Sequence, residues 1–242
     1  MHAAWMRGDN TDQGQESTVV AGLKKILLVD DHAFLRDALA EVMARAFPGV
    51  QVLQAGDLQG ADHMLEAHRN IDLLLLDLDL PDGDGLDALG RLRVRSGARL
   101  VVMSANDRPD TIWRALDLGA SGYLPKSLTA GAMLAALNTV LAGGIHVPAS
   151  ALRAAAGGGG GGGTPPDLQA MGLSPRQTDV LGLLVEGVAN KVIARELDIG
   201  EATVKTHLTA ILTRFGVATR TQVVVEMARR GWRVPHRQRL SD

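Results

Sequence analysis

The sequence predicts two domains of different class: an α/β domain with a five-stranded parallel, doubly wound sheet, then a smaller all-α domain. Three observations carry this. Short apolar runs alternate with helically spaced segments five times between residues 24 and 142. Seven consecutive glycines, Gly157–Gly163, then interrupt the chain. Beyond them the pattern is helical only and the charge changes sign, from −5 over residues 1–163 to +3 over 164–242, within a total of −2.

The first strand is Ile26-Leu27-Leu28-Val29, ending in Asp30-Asp31. Phe34, Leu35, Ala38, Leu39, Val42, Met43 and Ala46 then recur at helical spacing over 33–47. Val50–Leu53 is a second strand, followed by a helix to about His68. Leu73–Leu76 is a third, apolar throughout and ending in Asp77. A loop rich in Pro, Gly and Asp leads to a helix near 84–95. Leu100–Met103 ends in Ser104, a helix covers about 110–118, and Ser121–Leu124 ends in Pro125-Lys126. Ala130, Met133, Leu134, Leu137, Val140 and Leu141 mark the last helix of this domain. Strands apolar on both faces and alternating with helices read as a parallel sheet covered on both sides.

The glycine run, followed by Thr164-Pro165-Pro166, reads as a flexible linker, with the structureless stretch extending from Gly143 to Gly172 (143–172). As a coil it spans roughly 30 Å root-mean-square. A phosphate-binding glycine loop needs a strand before it and a helix start after it, and neither is present. Residues 1–23 read as a disordered tail without the apolar segment of a signal peptide, and 234–242 as a second tail. No apolar run is long enough to span a bilayer. The expectation is a cytoplasmic protein with no membrane partner. The chain has no cysteine, which excludes disulfides, thiolate metal sites and cysteine nucleophiles. Aromatics at 3% argue against a stacking platform for single-stranded nucleic acid.

Residues 173–233 read as four helices. Ser174-Pro175-Arg176-Gln177 is a capping box with proline at the first helical position. That helix ends near Glu186-Gly187, and a short one covers 190–197. Gly200 opens a longer helix with Val204, Leu208, Ile211, Leu212 and Phe215 on one face and Lys205, Thr206, Thr209 and Thr213 on the other. The last runs from about Thr219 to Arg230. The polar face of the third helix is either a solvated surface or a recognition surface for the major groove.

In an open parallel sheet, sites form beyond the carboxyl ends of the strands. Asp30, Asp31, Asp77, Ser104 and Lys126 all fall there in residues 24–142. Singly, an aspartate after a strand is most often a helix cap; five polar groups on one edge are a site. Packed carboxylates repel and need a cation, and oxygen ligands without histidine point to Mg²⁺. A carboxylate beside such an ion can attack a phosphoryl group. Lys126 and the Ser104 hydroxyl are placed to bind phosphoryl oxygens.

Leu28-Val29-Asp30-Asp31-His32, Leu75-Leu76-Asp77-Leu78-Asp79-Leu80-Pro81 with Gly83-Asp84-Gly85, Val102-Met103-Ser104-Ala105 and Gly122-Tyr123-Leu124-Pro125-Lys126 resemble the signature of response-regulator receiver domains. The resemblance implies that Asp77 accepts phosphate from a sensor histidine kinase. It implies that Asp30 and Asp31 hold Mg²⁺ with Asp77 and the backbone carbonyl of Asp79. It makes Ser104, Lys126 and Tyr123 the switch hydroxyl, lysine and aromatic. Upon phosphorylation Ser104 is expected to move toward the phosphoryl oxygens, with the Tyr123 ring following into the vacated space. The extra acids Asp79 and Asp82 are expected to add carboxylates close to the pocket. The rival is a phosphatase of the haloacid-dehalogenase type, which Asp77-Leu78-Asp79 also resembles. That motif does not continue as Leu80-Pro81, and it leaves Asp30-Asp31 unexplained.

Leu173-Ser174-Pro175-Arg176-Gln177, Gly187-Val188-Ala189-Asn190-Lys191, Ile193-Ala194-Arg195-Glu196-Leu197, Ala202-Thr203-Val204-Lys205-Thr206-His207 and Arg220-Thr221-Gln222 resemble a LuxR-type helix-turn-helix. The resemblance places Lys205 and Thr206 at base edges or nearby phosphates of double-stranded DNA, and Asn190, Lys191, Thr203 and Arg220 at phosphates. Thr209 stands on the same face where relatives carry lysine. Gly200 replaces the usual serine cap, which costs a few tenths of a kcal/mol. The modest +3 makes a homodimer on DNA the expected binding form, and Val225 is a candidate dimer contact. The chain is thus expected to be a two-domain response regulator of the NarL/LuxR type rather than an enzyme. A phosphorylation-independent DNA-binding protein with a vestigial receiver is the alternative, against which the five site residues argue.

Overall fold

The computed structural model describes residues 23–157, 168–230 and 232. Gly158–Gly163, residues 1–22 and the 234–242 tail lie outside them.

The five apolar runs form β1 (Lys25–Val29), β2 (Gln51–Ala55), β3 (Leu73–Asp77), β6 (Arg99–Ser104) and β7 (Gly122–Pro125), joined in one parallel sheet of order β2-β1-β3-β6-β7. Between β3 and β6 the Pro-Gly-Asp loop makes a small antiparallel hairpin, β4 (Asp79–Leu80) with β5 (Gly83–Asp84). Helices α1 (Ala33–Ala46), α2 (Leu58–Ala67), α3 (Gly85–Ser96), α4 (Pro109–Asp117) and α5 (Ala130–Leu141) complete the domain.

Alternation along each strand divides the core into two. Leu27, Val29, Leu74, Leu76, Leu100, Val102 and Tyr123 enter one buried cluster with residues of α2, α3 and α4. Ile26, Leu28, Leu73, Leu75, Val101, Met103 and Leu124 enter the other, with residues of α1 and α5. A period of two fixes this assignment once the register is set. The chain order reverses between β1 and β3, which makes their carboxyl ends the crevice of the sheet.

Among the described residues, four helices form the second domain: α7 (Pro175–Val185), α8 (Asn190–Glu196), α9 (Glu201–Phe215) and α10 (Arg220–Arg229). Val180, Leu181, Leu184, Ile193, Val204, Leu208, Ile211, Val223 and Met227 are its core. The Ser174–Gln177 capping box forms as expected, and a second one, Thr219–Gln222, starts α10. Gly200 is the N-cap of α9 and carries no side-chain cap.

The stretch read as structureless from Gly143 differs. It begins with a bridge between His146 and Gly122 of β7, and α6 (Ala149–Gly157) follows. Alanine has the highest helix propensity, so Ala-Ser-Ala-Leu-Arg-Ala-Ala-Ala folds once one side has a surface to pack on. Ala151 is fully buried.

Candidate phosphoryl and DNA-reading sites

Register brings the acids together. Val29 pairs with Leu76, so Asp30 and Asp77 follow side by side at the ends of β1 and β3. Both are fully buried. Lys126 Nζ lies 2.8 Å from Asp30 Oδ2 and 2.7 Å from Asp77 Oδ2, bridging the two. Asp77 Oδ1 accepts the Asp79 amide at 3.3 Å. Asp31 is exposed at the rim.

Burial pushes the Asp77 carboxyl up from its ordinary value, against the lowering by the Lys126 hydrogen bond. Burial works to lower Lys126, but the hydrogen bonds to Asp30 and Asp77 outweigh it and its ammonium is raised. The asymmetry follows from the count of partners: one lysine gains from two carboxylates, while Asp77 gains half a lysine and faces Asp30. Asp30 Oδ2 is buried with a charge partner but no well-directed hydrogen bond. That leaves it capacity for a cation.

One ligand atom each from Asp30, Asp31, His32 and Asp77 falls within 4.8 Å of the others. This is an acidic cluster of the kind that holds metal in receiver domains. His32 was not expected in it. Its Nδ1 lies 2.6 Å from Asp31 Oδ1 and 3.3 Å from Asp30 Oδ1, with the side chain 65% exposed.

The hydroxyls occupy the other half of the site. Ser104 is fully buried and its Oγ accepts the Asn106 amide at 3.1 Å. Tyr123 is fully buried, its hydroxyl donating to the Asn106 carbonyl. Burial raises its pKa, and a hydrogen bond with Ser104 opposes this. The ring is thus buried next to Ser104, with its hydroxyl tied to the loop that follows β6. Beside Ser104 a cleft of about 330 Å³ opens, lined by Asp79, Gly83, Asn106 and Thr111 among others.

Two acids need reassignment. The Asp79 side chain is exposed and only its amide engages Asp77. Asp82 turns away altogether, accepting the Leu58 and Gln59 amides at 2.9 Å each across the start of α2. Orphan amides at a helix N-terminus attract a carboxylate. The Leu58 hydrogen bond leads in holding the Asp82 carboxyl below its ordinary value. A depressed carboxyl adds stability above its unfolded pKa, which is lost as pH falls through the folded one. Asp82→Ala is expected to cost about 1 kcal/mol near neutral pH and much less in acid, read by urea unfolding at both.

Two residues to which the sequence assigns no role support the site. Arg36 donates to the Asp30 carbonyl and to Gln54 Oε1; its only sequence mark is its place on the first turn of α1. Gly85 donates to the Leu78 carbonyl at 3.1 Å, and a Cβ there would lie 2.6 Å from Leu78 Cα and 2.7 Å from the Asp77 carbonyl oxygen. The hairpin folds straight back onto the segment that carries Asp77. Gly85→Ala is expected to cost about 1–3 kcal/mol and to slow phosphoryl uptake, measurable by denaturation and phosphodonor labelling.

In the second domain, Lys205, Thr206 and Thr209 are exposed on α9, opposite buried Val204, Leu208 and Ile211; Thr203 and Lys191 are exposed also. The Thr206 and Thr209 hydroxyls donate to Ala202 and Lys205 carbonyls at 3.1 Å. Their lone pairs remain for outside donors. Arg220, expected at a phosphate, is turned inward. Its guanidinium donates to the Gly143 carbonyl at 2.5 Å, the Val188 carbonyl at 3.0 Å and Asn190 Oδ1 at 3.2 Å. Burial lowers its pKa to about 10. The long, planar donor fork reaches three inward acceptors at once. Asn190 is thereby engaged from the same side.

A parallel sheet with a lysine-bridged acid pair, joined to a helix-turn-helix, defines a phosphorylation-controlled DNA-binding protein. Residues 26–138 match the response regulator receiver domain, and residues 171–227 match the bacterial regulatory proteins of the luxR family. The chain is 35% identical over 208 residues to the glycerol metabolism activator of Pseudomonas putida, covering 83% of this chain and 93% of that one. It is 33% identical over 203 residues to the nitrate/nitrite response regulator protein NarL of Escherichia coli (strain K12), with 83% and 93% covered. The RcsB response regulator of Salmonella typhimurium shares the fold, with a TM-score of 0.51 and 21% identity over 85% of this chain and 98% of that structure. The chain belongs to the NarL/LuxR-type two-component response regulators. It is a DNA-binding regulator activated by phosphorylation that controls transcription through its C-terminal helix-turn-helix. This architecture implies a kinase partner. Among the described residues no helix is long and apolar enough to cross a membrane.

Proposed function

We propose that Asp77 is the phosphoacceptor, charged by a sensor histidine kinase in the cytoplasm. A carboxylate oxygen of Asp77 attacks phosphorus, the bond to the donor histidine nitrogen breaks, and that nitrogen leaves with its electron pair. Asp77 is then an acyl phosphate. Mg²⁺, held by Asp30, Asp31, Asp77 and the Asp79 carbonyl, supplies charge neutralisation when bound. Lys126 moves from sharing two carboxylates to pairing with a phosphoryl oxygen, and the Ser104 hydroxyl donates to another. The site takes one phosphoryl group and holds it; the chain is a switch rather than an enzyme that turns over a small ester.

The output is a homodimer that reads paired half-sites in double-stranded DNA with Lys205, Thr206 and Thr209 of α9. Thr203, Lys191 and Asn190 face phosphates, and Arg220 joins them when it is released from Gly143. The domain limits are 24–142, 143–172 and 173–233. The observation that carries this reading is Lys126 between buried Asp30 and Asp77, in one chain with the open polar face of α9. The test is incubation with a small phosphodonor and Mg²⁺, followed by mass, sedimentation and binding to genomic DNA fragments. Acid-labile phosphate with a gain in dimer and in DNA binding supports it. Equal behaviour with and without the donor sinks it.

A further inference from the structure

The hairpin that begins at Asp79 has little of its own to hold it. Each strand is two residues long, and Asp79 stands directly opposite Asp84. Like charges across a strand pair repel, and so short a hairpin is marginal alone. Leu80 enters the core, but one side of the hairpin borders the cleft of about 330 Å³ that separates it from Asn106 and Thr111.

Two ties hold it from outside. At the base, the Gly85 amide donates to the Leu78 carbonyl at 3.1 Å. At the tip, the Asp82 carboxylate takes the Leu58 and Gln59 amides of α2, one on each oxygen. Gly83 backs that contact, since a Cβ there would lie 3.0 Å from Leu58 Cδ1. Helix α2 does not depend on Asp82 for its cap, because Asp57 already accepts the Gly60 amide at 2.6 Å. The corner that Asp82 grips is itself fixed to the end of β1. The Asp30 amide donates to the Ala55 carbonyl of β2 at 3.1 Å, and Arg36 joins the Asp30 carbonyl to Gln54 Oε1. The Asp82 tie therefore connects the loop of Asp79 to the loop of Asp30 and Asp31, through the β2–α2 corner.

We propose that Asp82 is a positioning residue for the phosphoryl site, fixing the Asp79 backbone relative to Asp30 and Asp31 before any ion binds. The proposal rests on the Mg²⁺ reading above, in which those two loops share one ion. An ion held by two loops binds more tightly when their separation is already set, because ordering them no longer opposes binding. The Asp82 carboxylate acts through two backbone amides on the far side of the hairpin. It therefore sets the affinity for the ion and leaves the chemistry at Asp77 alone.

Two variants cut the tie from opposite ends. Asp82→Asn keeps the shape but sets an NH₂ donor against one of the two amide donors. Gln59→Pro removes the Gln59 N–H from the α2 side; Gln59 is exposed, and proline is tolerated in the first turn of a helix. In the full chain, the Mg²⁺ dissociation constant by calorimetry is expected to rise about fivefold in the first and about threefold in the second. With an acyl phosphate as donor, the half-saturating Mg²⁺ concentration for labelling should rise by the same factors. The labelling rate at saturating Mg²⁺ should stay within about twofold of the parent. Asp57→Ala is the control: it removes the cap that belongs to α2 itself, lowers stability to urea, and should leave the Mg²⁺ constant within about 1.5-fold. An unchanged Mg²⁺ constant in either Asp82→Asn or Gln59→Pro overturns the proposal. So does a saturated rate that falls while the constant stays. A shift in Asp57→Ala as large as that in Asp82→Asn also overturns it, since the stability of α2 would then be the cause. A parent chain that binds no Mg²⁺ would instead sink the reading of the ion site itself.

Discussion

Asp77→Asn is expected to abolish acid-labile phosphate uptake, by about a hundredfold or more in rate, while leaving the chain folded. An amide has no anionic oxygen to attack phosphorus. It fits the same space, and its oxygen accepts the Lys126 ammonium that now lies 2.7 Å from Asp77. Stability should move the other way. A carboxyl raised by burial contributes stability fully present below its unfolded pKa and lost as pH rises through the folded one. At neutral pH the ionised Asp77 is therefore a cost that asparagine removes. The variant is expected to gain about 0.5–2 kcal/mol in urea unfolding at pH 7 and nothing in acid. A variant that still took up labile phosphate and switched normally would place the acceptor elsewhere.

Lys126→Met is expected to be the most destabilising single change at the site. It removes the ammonium that bridges Asp30 and Asp77, both fully buried. Stranding buried charge in this way costs about 3–5 kcal/mol. The loss should shrink as pH falls, because Asp77, whose carboxyl burial raises, then takes up a proton and the repulsion ends. It should shrink also with Mg²⁺ at neutral pH, by about 1.4 kcal/mol at tenfold excess over its dissociation constant. Urea unfolding at pH 7 and pH 5, with and without the ion, reads all of this. A deficit that ignores both protons and Mg²⁺ would show that the acid pair is not a cation site.

This pocket was legible from sequence. Asp30, Asp77, Ser104 and Lys126 each follow an apolar run, and a parallel sheet puts all such positions on one edge. Asp82 was not legible. It sits in the same loop as Asp79, yet its carboxylate crosses to the amides of Leu58 and Gln59, 24 and 23 residues away. The inward partners of Arg220 were not legible for the same reason. A surface arginine in a DNA-binding motif reads as a phosphate contact, whereas here its fork is used by Gly143, Val188 and Asn190.

By itself the sequence determined what local periodicity and strand ends encode: two domains, five strands with their helices, the acids and lysine on one sheet edge, and the amphipathic α9. Those follow from a period of two or 3.6 and from where apolar runs stop. Only the tertiary structure decided what depends on partners distant in the chain. It folded Ala149–Gly157 into a helix, buried Val225 against the receiver and turned Arg220 inward. It also left α9 uncovered while α10 was docked. A weak helix, a lone valine and a long side chain have several solutions of similar free energy, and only the surface that meets them selects one.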